Sequence, residues 1–208
     1  SGKVSPVSMV RLGILLEIIG VAGVGFGISP TSTWINVVPW LFVYGMGVGL
    51  ATAQLTNVIL KDVPVQESGQ ASGTQSTARQ LGSALGIAIL GTILFTATQS
   101  AAETRLNATV ALQAMPSDER ATFIEGLSTT VVDSSGGFLP MIKGTLLDAG
   151  APEEVAVELQ NAANDAFTDG VKATGWAAAG FLFLGLLSTF SMGARRRPED
   201  KKISKAKA

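Results

Sequence analysis

Four stretches of this chain are too long and too apolar to be surface helices of a water-soluble domain. They run from about Met9 to Ser29, Ile35 to Leu60, residues 74–98 and Val171 to Ala194. A bilayer's hydrocarbon core is about 30 Å thick, and a helix needs about 20 mostly apolar residues to cross it. The four runs are rich in glycine and alanine, show no strand alternation, and are too long for core strands. Only 15% of the 208 residues are charged, where a soluble domain would carry about 25%. The expected fold class is therefore all-α integral membrane, with four transmembrane helices.

The distribution of lysine and arginine predicts the direction of these spans. The tail, 195–208, holds seven of them, and the N-terminal stretch adds Lys3 and Arg11, with Lys61 in the link that follows the second span. The segment 99–170 holds only Arg105, Arg120 and Lys143 against eleven acids. Both ends and the 60–70 link are expected in the cytoplasm, and 99–170 outside it. The outer segment has apolar residues at helical spacing in TVALQAMPSDERATFIEGL and APEEVAVELQNAANDAFTDGV, with Asp118 and Pro152 where helices start. It is expected to form two or three short amphipathic helices. The organisation is then three spans in 1–98, an extracytoplasmic loop 99–170, a fourth span 171–194 and a basic tail suited to anionic lipid headgroups.

Chemistry-bearing residues are sparse. The chain has no histidine and no cysteine, which removes disulfides, thiol chemistry and the usual zinc ligands. No phosphate-binding loop and no hydrolase or metalloprotease motif is present, and a net charge of −1 gives no reason to expect nucleic acid. No catalytic residue, metal or cofactor is expected. The candidates are polar groups inside the spans, because an intramembrane ionisable residue is costly and faces a partner or a cavity. Glu17 lies about 10 Å into the first span by the helical rise. It is read as a proton-coupling residue or, with equal weight, as a structural carboxyl paired with a neighbouring helix. Gln54, with Thr52 and Asn57, occupies the inner third of the second span. Arg79 and Gln80 stand near the inner end of the third, where Arg79 can reach the interface as a positive anchor. Gly45 and Gly49, and Gly82 and Gly86, are spaced four apart, so each pair shares a helix face suited to close packing.

The run YGMGVGLATAQLTNVILKDVPVQESGQASGTQSTARQLGSALGIAILGTIL, residues 44–94, resembles the major facilitator superfamily, in particular its fourteen-helix drug:proton antiporter branch (EmrB/QacA type). The resemblance rests on Gly45, Gly47 and Gly49, on Pro64, Gly69, Ala71, Ser72 and Gly73 in the link, and on Arg79-Gln80-Leu81-Gly82 with Ala84-Leu85-Gly86. It implies that the chain is the last four helices of a proton-coupled multidrug exporter in the plasma membrane. The partners would be protons, a lipophilic small molecule, membrane lipids and the preceding helices of the same transporter. A chain starting at Ser1 inside what reads as a loop fits that expectation. Alternatives are a transporter of the same fold for another metabolite, and a small four-span scaffold or subunit. Glu17 maps to no motif of that family and rests on its depth alone.

Overall fold

The computed structural model describes residues 5–61 and 63–192, with side chains to residue 190. The basic tail and Lys3 lie outside these residues. The fold is all-α: among the described residues there is no strand, and four helices are long and apolar enough to cross a membrane.

Helix α1 (Pro6–Gly27) is started by Ser5, whose hydroxyl accepts from the Ser8 backbone N–H at 3.1 Å, with Pro6 in the first helical position. Both features suit a helix start, since the first turn's N–H groups have no partner within the helix. The chain reverses after Gly27. Ser32 closes this turn by donating to the Gly27 carbonyl at 3.1 Å and accepting from the Ser29 N–H at 2.8 Å. Helix α2 (Trp34–Leu60) returns along α1.

The α1–α2 seam is built on missing side chains. A Cβ at Gly13 would lie 2.7 Å from the Ala51 nitrogen, and one at Gly20 would lie 2.6 Å from the Tyr44 nitrogen. Gly23 takes the Trp40 ring directly against its backbone. From α2, Gly47 faces the Gly13 carbonyl at 2.6 Å and the Glu17 nitrogen at 2.7 Å, again measured from the Cβ it lacks. Gly45, Gly49, Gly82 and Gly86, expected to mediate packing, are not the glycines at which the described helices meet: a Cβ at any of them would find nothing within 4 Å. The reason is rotation. At about 100° per residue, Gly45 and Gly49 share one face of α2, while Gly47 lies nearly opposite and faces α1.

Helix α3 (Ser68–Asn107), preceded by a 3-10 turn at Val65–Glu67, and helix α7 (Glu153–Met192) have 40 residues each. At 1.5 Å per residue each is about 60 Å long, roughly twice the hydrocarbon thickness. Both continue as single helices past the apolar runs: α3 does not stop at Thr98, and α7 is already helical eighteen residues before Val171. No proline interrupts either continuation. The two cross at Gly170, where the bare α-carbon lets Thr98 pack against the backbone.

Around these projecting ends fold α4 (Val110–Gln113), α5 (Ser117–Asp133), a 3-10 turn at Leu139–Met141 and α6 (Ile142–Asp148). They form a helical cap with its own core. Ala102 and Leu106 of α3 pack with Leu112, Ile124, Leu159 and Ala166. A second cluster joins Val131, Ile142 and Ala163, covered by Phe138 and Phe167. Helix α6 ends on Gly150 at φ +86°, with Gly150 donating to the Leu147 carbonyl and Ala151 to Leu146, both at 2.9 Å. That pair of bonds and the left-handed glycine are the usual helix stop. The membrane-length portions pack in the order α2, α1, α7, α3, leaving α2 and α3 barely in touch.

Candidate functional site

Glu17 is carried on the face of α1 that packs on α2, and it is only 9% exposed. Its Cγ and backbone crowd the space over Gly47, so the absence of a side chain there lets the carboxyl sit between the helices. Among the described residues none donates a hydrogen bond to it or pairs with it.

Next to Glu17 on α1, Ile14 and Val21 line an apolar cavity of about 480 Å³ between all four long helices. Tyr44 comes from α2, Leu85 and Ile89 from α3, and Phe181 and Leu182 from α7. Gly82, Gly86 and Gly185 lie in its wall, which is why a side chain at those glycines would meet nothing. Glu17 is three residues from Ile14 and four from Val21. That spacing sets it within about 60° of the cavity-facing residues around α1. The site is thus an apolar chamber with a tyrosine in its wall, suited to a lipophilic guest held mainly by shape, and with Glu17 one turn along α1 from two of its lining residues.

The remaining candidates gather elsewhere. Arg79 lines a cleft of about 640 Å³ between α2 and α3, with Leu55, Ile59, Glu67 and Gln75. Gln75 spans this cleft by donating to the Thr56 hydroxyl at 3.2 Å. Gln54 accepts from Asn57 one turn along at 3.5 Å, and Gln80 is exposed on α3. Glu17 is therefore not brought together with Gln54, Arg79 or Gln80.

Two functional-looking groups stand outside the sequence candidates. A lone tyrosine in an apolar run, such as Tyr44, looks like packing. Arg11 counts in the sequence as a positive charge at a membrane end, yet its side chain is engaged with α7 through Thr189 and Phe190. The signal was present: Arg11 falls inside the first apolar run, and the rule that singled out Glu17 covers it equally.

Part of the chain is similar to known proteins. It is 34% identical over 87 residues to the probable actinorhodin transporter of Streptomyces coelicolor, a match covering 42% of this chain and 14% of that protein. It is 42% identical over 50 residues to the multidrug resistance protein Stp of Mycobacterium tuberculosis, covering 24% of this chain and 9% of that protein. The chain thus spans only a small share of the length of the curated relatives it matches. No family model matches the chain, and no solved structure matches it. Four membrane-length apolar helices make the chain a multi-pass membrane protein, similar in part to one protein named as a transporter and one named for multidrug resistance.

Proposed function

We propose that this chain is the C-terminal part of a proton-coupled multidrug efflux transporter of the plasma membrane, whose antiport follows the major facilitator pattern. Its termini and the α2–α3 link would lie in the cytoplasm and the cap outside, following the distribution of lysine and arginine. The observation that carries the reading is the apolar cavity between α1, α2, α3 and α7, with Glu17 buried in the α1–α2 seam one turn along α1 from the lining residues Ile14 and Val21. The names of the two relatives support transport or resistance as the activity.

Transporters of this kind place the substrate near the midplane between two helical halves and expose it to each side in turn. Four helices furnish only part of such a frame, so the preceding helices of the same protein would complete it. The unfilled face of α2 that carries Gly45 and Gly49, where a side chain would meet nothing, is where we place them. A lipophilic substrate would enter the cavity from the bilayer. A carboxyl beside it can be neutral when a proton is bound and charged when a cationic guest is near, and that exchange would couple the two.

Glu17→Gln preserves shape and hydrogen bonding but cannot titrate. In the intact transporter it is expected to reach the membrane in normal amounts and to lose efflux driven by a pH gradient. Efflux that keeps its dependence on the gradient would make Glu17 a structural carboxyl and put the coupling site in other helices.

A further inference from the structure

Helices α1 and α7 run antiparallel and are fastened at two levels. At one, the Phe26 and Trp176 rings meet edge to face, with centroids 4.8 Å apart. At the other, Arg11 grips α7 three ways. Its Nε donates to the Thr189 hydroxyl at 3.2 Å, its Nη2 donates to the Thr189 carbonyl at 2.9 Å, and its guanidinium lies 4.3 Å from the centre of the Phe190 ring. Thr189 is buried, and its hydroxyl hydrogen is committed to the Leu186 carbonyl at 2.7 Å. The oxygen is thereby oriented to accept from Arg11. A planar fork that donates at two points while stacking on a ring is a role that lysine cannot fill.

The position of this grip matters as much as its chemistry. Ile14 and Gly185 line the cavity between the four long helices. Arg11 precedes Ile14 by three residues and Thr189 follows Gly185 by four. Each step is about one helical turn, so the arginine stands one turn beyond the cavity on both helices at once. We infer that Arg11 is a gate on the α1–α7 side, opposite the open α2–α3 cleft: by holding Thr189 and Phe190 it closes that seam one turn beyond the cavity, and its release opens a second path for water-soluble solutes. A guanidinium suits this place because its stem can lie along apolar surface while its head stays polar. The inference rests on the cavity and not on transport, so it stands or falls apart from the efflux reading.

The absence of native cysteine makes accessibility the natural test. Leu182→Cys puts a thiol in the cavity wall, seven residues along α7 from Thr189. The full chain would be reconstituted in lipid nanodiscs, which expose both membrane faces to reagent. Its reaction rate would be followed with a cationic and an anionic membrane-impermeant methanethiosulfonate. Arg11→Ala is expected to raise both rates by about tenfold or more, the scale of losing hydrogen bonds to a charged group. Arg11→Lys and Thr189→Val should each raise both rates by less. If the cationic reagent speeds up while the anionic one slows, only the local charge has changed and the gate is refuted. Unchanged rates refute it too. Should Arg11→Ala fail to fold, Arg11→Lys and Thr189→Val decide the matter, since unaltered rates in both overturn the proposal. Phe26→Ala loosens the other fastening of the same seam. If it accelerates labelling as much as Arg11→Ala does, the effect is general loosening, and Arg11 is not a gate.

Discussion

The missing side chain at Gly47 of α2 separates two kinds of glycine in this bundle. Gly47 is pressed on the Gly13 carbonyl and the Glu17 backbone, whereas Gly45 and Gly49 face open space two residues either side. Gly47→Ala is therefore expected to destabilise the α1–α2 pair by about 1–3 kcal/mol, the usual cost of forcing atoms into a packed interface. Gly45→Ala and Gly49→Ala should be close to neutral in this chain. Equilibrium unfolding in mixed detergent micelles checks this, and equal losses at all three positions would contradict the assigned face. Outside the membrane a second residue-level test is available at Glu153. Lys143 donates to its carboxylate at 2.7 Å. That hydrogen bond and the ammonium charge hold the Glu153 carboxyl below the usual carboxylate range. The folded carboxyl titrates lower than the unfolded one, so the pair favours the fold above the ordinary range and that contribution fades as pH falls through the lowered value. Lys143→Met should return the Glu153 titration upward, as read by NMR of its side-chain carbon. An unmoved titration would show that the pair does not persist in solution.

At the scale of elements, the four apolar runs were legible because nothing else in proteins requires some twenty apolar residues in succession. Which face of each helix meets its neighbour was not. Lipid and protein interior both accept leucine, so the amphipathic pattern that orients a soluble helix is missing here. The glycines at positions 45 and 49 and those at 13, 20 and 47 look alike in the sequence, and only the fold distinguishes them. Of the candidate site, Glu17 was legible from its depth, while the cavity beside it was not, since it is made by residues of four different helices. The extension of α3 and α7 into the cap was also hard to read. Beyond the apolar run a helix continues on local propensity and on contacts made far away in sequence, such as Arg105 with Asp165 at 3.0 Å and Asp169 at 2.7 Å. These pairs are partly exposed and contribute modestly. The apolar core beneath them carries more. Leu106 is fully buried, and Leu106→Ala is expected to destabilise the cap by about 2–5 kcal/mol. Hydrogen exchange should quicken through α5 and the first half of α7, while the membrane portion of α1 stays protected. Equal quickening in α1 would show that cap and spans unfold as one unit.

In the whole molecule, α3 and α7 run without interruption from the apolar four-helix section into the cap. The cap's surface is acidic, and its lysines and arginines are few. The proposed orientation rests on that asymmetry and puts the cap on one side of the membrane and the α2–α3 link on the other. The proposed efflux reading depends on this arrangement. Val65 in the link and Val110 in the cap are 84% and 76% exposed, and each can be replaced by cysteine in a chain that has none. The decisive measurement is the labelling of Val65→Cys and Val110→Cys by a membrane-impermeant thiol reagent in intact cells and after lysis. With the cap outside and the link in the cytoplasm, Val110→Cys is expected to react in intact cells and Val65→Cys only after lysis; labelling of both from the same side would contradict that orientation.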